Sequence, residues 1–309
     1  MSHPSRLRIL LAFATVYLVW GSTYLGMRVA VSALPPFFMA GVRFLIAGGV
    51  LFAFLRWRGA PWPPAAHWKY GAISGFFLLV TGNGLVVWAE QTVPSGLASL
   101  LVAVAPAWFA LIDWLRPGGS RPTRATLLGI VIGFAGVALL VGPSGASGRA
   151  DIAGAVALLA AGLSWAGGSL YAKHATGGGS PWMNAALQMI CGGAALLLTG
   201  LAVGDFGRLD WQRVTARGLG ALAYLVVFGS WVGYSAYIWL LKVCKPAHVA
   251  TYAYVNPVIA VLLGALILGE PLTARVFVAA ALILAGVVVT TLPARPPASA
   301  VVLAKRMTG

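Results

Sequence analysis

Apolar residues in this chain come in long runs, not in the alternating pattern of half-buried strands or the 3.6-residue pattern of surface helices. Uncharged runs occupy 9–27, 70–89, 91–112, 125–148, 152–172, 174–204, 218–241, 246–269 and 276–294, and 35–55 is interrupted only by Arg43. About 20 apolar residues cross a bilayer core as a helix, so the pattern predicts ten transmembrane helices. Polar residues collect in the gaps between them. The longest gaps are 56–67, the Gly/Ser-rich 142–150 and the polar 205–217. Such short connections make sequential helices antiparallel neighbours.

The pattern also repeats. Trp20, Arg28, Pro36 and Arg43 meet Trp165, Lys173, Pro181 and Gln188 at an offset of 145. Gly82, Trp88 and Pro106 meet Gly233, Trp239 and Pro257 at 151, and Thr123 and Gly136 meet Thr273 and Gly286 at 150. Ordered matches with small drift indicate duplication. Each copy carries five helices, an odd number, so the second enters the membrane from the opposite side. The fold class is therefore an all-α membrane protein of ten transmembrane helices in two inverted five-helix repeats. The first repeat spans 1–145 and the second, with a C-terminal tail, 146–309, with 142–150 as linker. Substrate sites of such proteins lie at the repeat interface.

Composition agrees, at 60% hydrophobic and 9% charged residues, where a soluble domain has about 25% charged. A net charge of +15 in a soluble protein would point to nucleic acid. Here its distribution gives another reading. With a cytoplasmic N-terminus, fourteen of the 21 lysines and arginines fall on the inner side and six on the outer, leaving Arg43 within the membrane. That is the positive-inside bias, which places both termini in the cytoplasm. The basicity sets topology and attracts anionic lipid headgroups; no nucleic-acid partner is implied. Arg6 and Arg8 before an apolar run resemble a signal peptide, but no small-residue cleavage site follows, and an uncleaved first helix is expected.

Arg43 is the foremost candidate for chemistry. A charge at mid-membrane costs at least ~2.5 kcal/mol, so it either attracts an anionic substrate group or pins helix backbones together. Its repeat mate, Gln188, is neutral. Asn83 sits between Gly82 and Gly84, and Asn256 precedes Pro257; each is either a site amide or an interhelical tie. Proline frees a carbonyl one turn back, which makes Pro106 and Pro257 candidate hinges. Among the aromatics clustered around these positions, Trp20 and Trp165 included, Tyr24, Tyr234 and Tyr252 are the better cavity candidates, since deep tyrosines need hydrogen-bond partners. Trp57, Trp62, Trp68, Trp114 and Trp211 fit an interfacial belt.

The six acids, Glu90, Asp113, Asp151, Asp205, Asp210 and Glu270, all fall at helix ends or in loops. Only Glu90 is placed to gate or to carry a coupling proton; the alternative is a solvated interfacial charge. His3, His67, His174 and His248 are scattered, and Cys191 and Cys244 show no metal or redox spacing. No phosphate-binding glycine loop with Lys-Ser/Thr is present. The expectation is no metal, no cofactor and no enzyme activity.

The stretches WGSTYLGMR (20–28), Arg43-Phe44, WAEQTVPSGLASLLVAVAPAW (88–108) and TYAYVNPVIAVLLGALILGE (251–270) resemble the EamA branch of the drug/metabolite transporter superfamily. The resemblance runs from about residue 9 to 292. It implies a ten-helix carrier of the cytoplasmic membrane, in many relatives an exporter of small metabolites. It also implies a cavity lined by helices 1–4 and 6–9, where Trp20, Tyr24, Arg43, Asn83, Trp165, Gln188, Tyr234 and Asn256 would lie. The family's Gly-Glu pair at the end of the ninth helix is Gly269-Glu270, while its counterpart in the first repeat reads Gly119-Ser120. The leading expectation is a secondary transporter of a small organic metabolite or drug-like solute, working by alternating access. Its partners would be that solute and membrane lipids, and a homodimer is compatible with it. A membrane-embedded enzyme acting on lipid-linked substrates, or a passive channel, is the alternative.

Overall fold

The protein is described by a computed structural model covering residues 5–119, 121–141, 149–174, 180–244, 249 and 251–291. Ten helical spans run through it: α1 Arg6–Val31, α2 Pro36–Trp57, α3 Ala65–Ala89, α4 Ser95–Leu115, α5 Arg124–Val141, α6 Arg149–His174, α7 Pro181–Ala202, α8 Ala216–Leu240, α9 Tyr252–Leu268 and α10 Ala274–Thr291. Eight are long and apolar enough to cross a membrane, and α9 and α10 are shorter apolar helices. The ten expected helices are all present. The linker expected at 142–150 lies outside the described residues over 142–148.

Local chemistry explains where the spans begin and stop. The Ser5 hydroxyl accepts from the Arg8 N–H at the start of α1, and Thr215 accepts from Gly218 at the start of α8. α2 and α7 open with proline, whose missing N–H costs nothing in a first turn. Glycines at positive φ, Gly204 after α7 and Gly269 after α9, close two others.

Helix pairing shows how the two repeats fit. α2 packs on α7, α4 on α9 and α5 on α10, each helix against its own repeat mate. Among the other contacts, α1 lies on α8 and α9 while α6 lies on α3 and α4, and α3 also packs on α7. Each repeat therefore lends its first helix to the other. Close approach depends on small residues, as expected where lipid supplies no hydrophobic drive. A Cβ on Gly286 would lie 2.5 Å from the Gly133 nitrogen, and one on Gly193 3.0 Å from the Gly41 carbonyl.

Candidate functional site

At the middle of α3 and α8 the helix widens. Phe76–Asn83 and Leu225–Val232 are π-helical, eight residues each, and coincide at an offset of 149. Each is closed by a hydroxyl reaching back five residues: Thr81 to the Phe76 carbonyl (3.3 Å) and Ser230 to the Leu225 carbonyl (3.1 Å). π segments frequently mark functional sites because they aim backbone groups away from the regular ladder.

A tryptophan from the opposite repeat lies against each widened helix. Trp20 Nε1 donates to the Gly229 carbonyl at 3.2 Å, and a Cβ on Gly233 would lie 2.5 Å from that nitrogen. In the mirror position Trp165 meets Gly82, whose Cβ would lie 3.4 Å from Trp165 Cε3. The matched Trp and Gly pairs are thus one contact made twice. The two sides differ around it. The Trp20 ring packs at 5.1 Å from both Tyr237 and Tyr252, with Tyr234 6.3 Å from Tyr237. On the Trp165 side Ser164 bonds to the Phe77 carbonyl (2.8 Å) and to Thr81.

Arg43 lies buried beside the α8 π segment, 5% exposed. Its Nε donates to Ser230 Oγ at 3.2 Å and its guanidinium lies 4.7 Å over the Phe44 ring. A Cβ on Gly229 would be 3.0 Å from Arg43 Nη2 and 3.1 Å from the Thr23 methyl, so this position takes glycine because the arginine is there. Arg43 Nη1 has no partner. Asn83, at the end of the α3 π segment, reaches Met27 Sδ at 3.8 Å with its amide nitrogen, while its Oδ1 is buried and unpaired. Thr23 and Met27 are one turn apart on α1, so both orphaned polar atoms lie beside the same stretch of that helix. Tyr24, between them in sequence, is half-buried.

Other candidates have different places. Asn256, with its amide oriented to suit its neighbours, donates to the Tyr17 carbonyl (3.3 Å) and the Tyr252 carbonyl (3.2 Å), tying α1 to α9. Gln188 is half-buried at the α3–α7 contact, its backbone carbonyl 2.6 Å from where a Gly75 Cβ would stand. The two candidate hinge prolines sit differently in their helices. α4 breaks at Ala103–Val104, with Pro106 in the first turn of its second piece. α9 instead runs unbroken through Pro257. Of the two readings of Glu90, the solvated interfacial charge is set aside: the residue is fully buried, with Arg28 of α1 on its backbone carbonyl.

The sequence reading also missed two acids. Asp205 Oδ2 accepts from the Phe37 and Phe38 N–H groups (2.8 and 3.4 Å). Glu270 accepts from Ser95 N (2.7 Å), Ser95 Oγ (2.8 Å) and Gly96 N (3.0 Å). α2 and α4 begin after Pro35 and Pro94, which offer no capping side chain, so acids of the second repeat cap helices of the first. A cue was available, since each acid follows a positive-φ glycine, Gly204 or Gly269. The described residues hold two more such glycines, Gly59 and Gly118, which precede Ala60 and Gly119 at the corresponding ends of α2 and α4. The register so defined places Gly119 opposite Glu270; Ser120 lies outside the described residues.

Ten apolar helices in two interlocked copies, with widened helices and orphaned polar groups at their meeting point, define a multi-pass membrane protein with a polar centre between repeats. The EamA-like transporter family matches this chain twice, over residues 7–142 and 152–292, and the chain belongs to that family. It is 38% identical over 303 residues to the inner membrane transporter YedA of Escherichia coli, covering 94% of each chain. It is 27% identical over 288 residues to a Salmonella typhimurium protein named "Probable amino-acid metabolite efflux pump", covering 88% of this chain and 90% of that one. A solved crystal structure superposes with a TM-score of 0.64 at 24% identity, over 94% of this chain and 99% of the other, which shows the shared fold. The protein is a membrane transporter of the multi-pass inner-membrane type.

Proposed function

We propose that this transporter is a secondary carrier that exports a small organic solute by alternating access, with both termini in the cytoplasm. The observation that carries the reading is the pair of orphaned polar atoms, Arg43 Nη1 and Asn83 Oδ1, beside α1 between the two π segments. An unpaired buried donor or acceptor costs about 1–3 kcal/mol, and a solute offering both an acceptor and a donor would recover that cost on binding. Arg43 Nε holds the guanidinium on Ser230, which leaves Nη1 for an anionic or carbonyl oxygen. Trp20, Tyr24, Tyr234 and Tyr252 supply aromatic surface, and Trp165 holds the mirror position. Export is supported by the efflux name of the Salmonella relative, and orientation by the bias of basic residues.

In liposomes containing the purified protein, saturable counterflow of a labelled metabolite, competed by unlabelled solute, is the expected result. Solute-independent conduction or lipid turnover, with no counterflow across a broad metabolite panel, would sink the reading. Arg43→Gln keeps a donor toward Ser230 but removes the charge. It is expected to lower counterflow at least tenfold while leaving folded, monodisperse protein. Unchanged transport would remove Arg43 from the binding site.

A further inference from the structure

Glu90 ends α3, its N–H bonded to the Val86 carbonyl at 2.9 Å. The residue is 0% exposed, and neither Oε1 nor Oε2 has a hydrogen-bond partner. The charged groups around it make their hydrogen bonds elsewhere, with Arg43 Nη1 left unpaired. From α1, Arg28 donates to the backbone carbonyl of Glu90 rather than to its carboxyl group. From α2, Arg43 donates to Ser230. Glu270, from the α9–α10 connection, is occupied with Ser95 and Gly96 of α4. Among the described residues, these three charges and the Tyr24 phenol of α1 are the ionisable groups that face Glu90. Where α6 meets the end of α3, its Gly154 stands against Ala89, Thr92 and Val93, none of which carries a charge.

An ionised carboxylate enclosed without a single donor is far more costly than a neutral acid in the same place. Two nearby guanidiniums offset part of that cost, and Glu270 adds to it. Opening this end of the bundle would admit water and let Arg28 swing from the Glu90 carbonyl to its carboxylate. We propose that Glu90 is a proton-binding site linked to closure of this end of the transporter: closing takes up one proton on its carboxyl group, and opening releases that proton to water. This rests on the alternating-access reading and deepens it by naming a proton as a second ligand of the cycle. The sign is fixed by linkage: the closed form binds the extra proton, so closure is favoured at low pH and lost as pH rises.

Two measurements on full-length protein in lipid test this without any solute. Infrared difference spectra between neutral and alkaline pH should show one protonated carboxyl C=O band that is lost at alkaline pH and absent in Glu90→Gln. With six acids in the chain, the band is assignable, and its absence from the wild type at neutral pH would overturn the proposal without any variant. Spin labels at the exposed Ser32 and Gln212 report separation across this end. The open-to-closed ratio should rise with pH by up to about tenfold per unit, stay closed at all pH values in Glu90→Gln, and respond again in Glu90→Asp. The same pH response in wild type and Glu90→Gln would sink the proton site. Because neither readout needs transport, failure of counterflow would retire the carrier reading separately.

Discussion

The two ends of the bundle are built from the same parts and finished differently. Glycines of positive φ follow four helices, α2, α4, α7 and α9: Gly59, Gly118, Gly204 and Gly269, with Gly118 beyond the extended Arg116 that caps α4. After α7 and α9 the next residue is an acid, and it caps a helix of the other repeat. After Gly59 and Gly118 the next residue is Ala60 or Gly119, and neither has a side chain that can accept a hydrogen bond. At the uncapped end the Ser180 side chain makes no capping bond to α7. Gly119 has no room to change, since a Cβ there would run into the Asp113 carbonyl. Duplication supplied a symmetric frame; at one end two carboxylates of the second repeat cap helices of the first.

The largest effect on that difference is expected from Glu270→Ala. It removes three hydrogen bonds to the start of α4, one charge-assisted set worth about 2 kcal/mol net, or about thirtyfold in the closed-to-open ratio. Spin labels at the exposed Gln91 and Leu272 should show the longer distance gaining population, and an unchanged distribution would mean the cap is not a latch. Asp205→Asn keeps an acceptor but loses the charge at the start of α2. A shift of about 1 kcal/mol, roughly fivefold, is expected between labels at Ser32 and Gln212. The smallest effect tests the comparison from the other side. Ala60→Asp places an acid after Gly59 where Asp205 follows Gly204, facing the first N–H groups of α7, Trp182 and Met183. A new cap there should add about 0.5–1 kcal/mol to closure of that end, read as a two- to fivefold gain in the closed population between labels at Ala66 and Ser180. No gain would show that the αL glycine does not by itself aim the following side chain.

Most of the fold was legible because lipid imposes one rule on every span, and that rule is written locally as run length. The Trp20/Trp165 and Gly82/Gly233 matches were legible too, since one packing contact used twice leaves the same residues twice. What stayed hidden depends on partners far away in the chain. Thr81 and Ser230 read as ordinary helical hydroxyls until their i−5 bonds are seen. The sequence leaves Glu90 open between a proton carrier and a solvated charge, because burial at a helix end is decided by what packs over it. Pro106 and Pro257 look equivalent in sequence, yet only α4 breaks. Asn256 reads as either a tie or a site amide, and the geometry shows hydrogen bonds from its amide to carbonyls of α1 and α9.

The caps also set an order of construction. Phe37 waits for a carboxylate 168 residues further along the chain, and Ser95 for one 175 residues further. At roughly 5–20 residues per second, about ten to thirty seconds of synthesis separate each helix from the group that finishes it. During that time the first N–H groups of α2 and α4 lack the carboxylates that cap them, and the last acid made, Glu270, is the one that completes the caps of the first half.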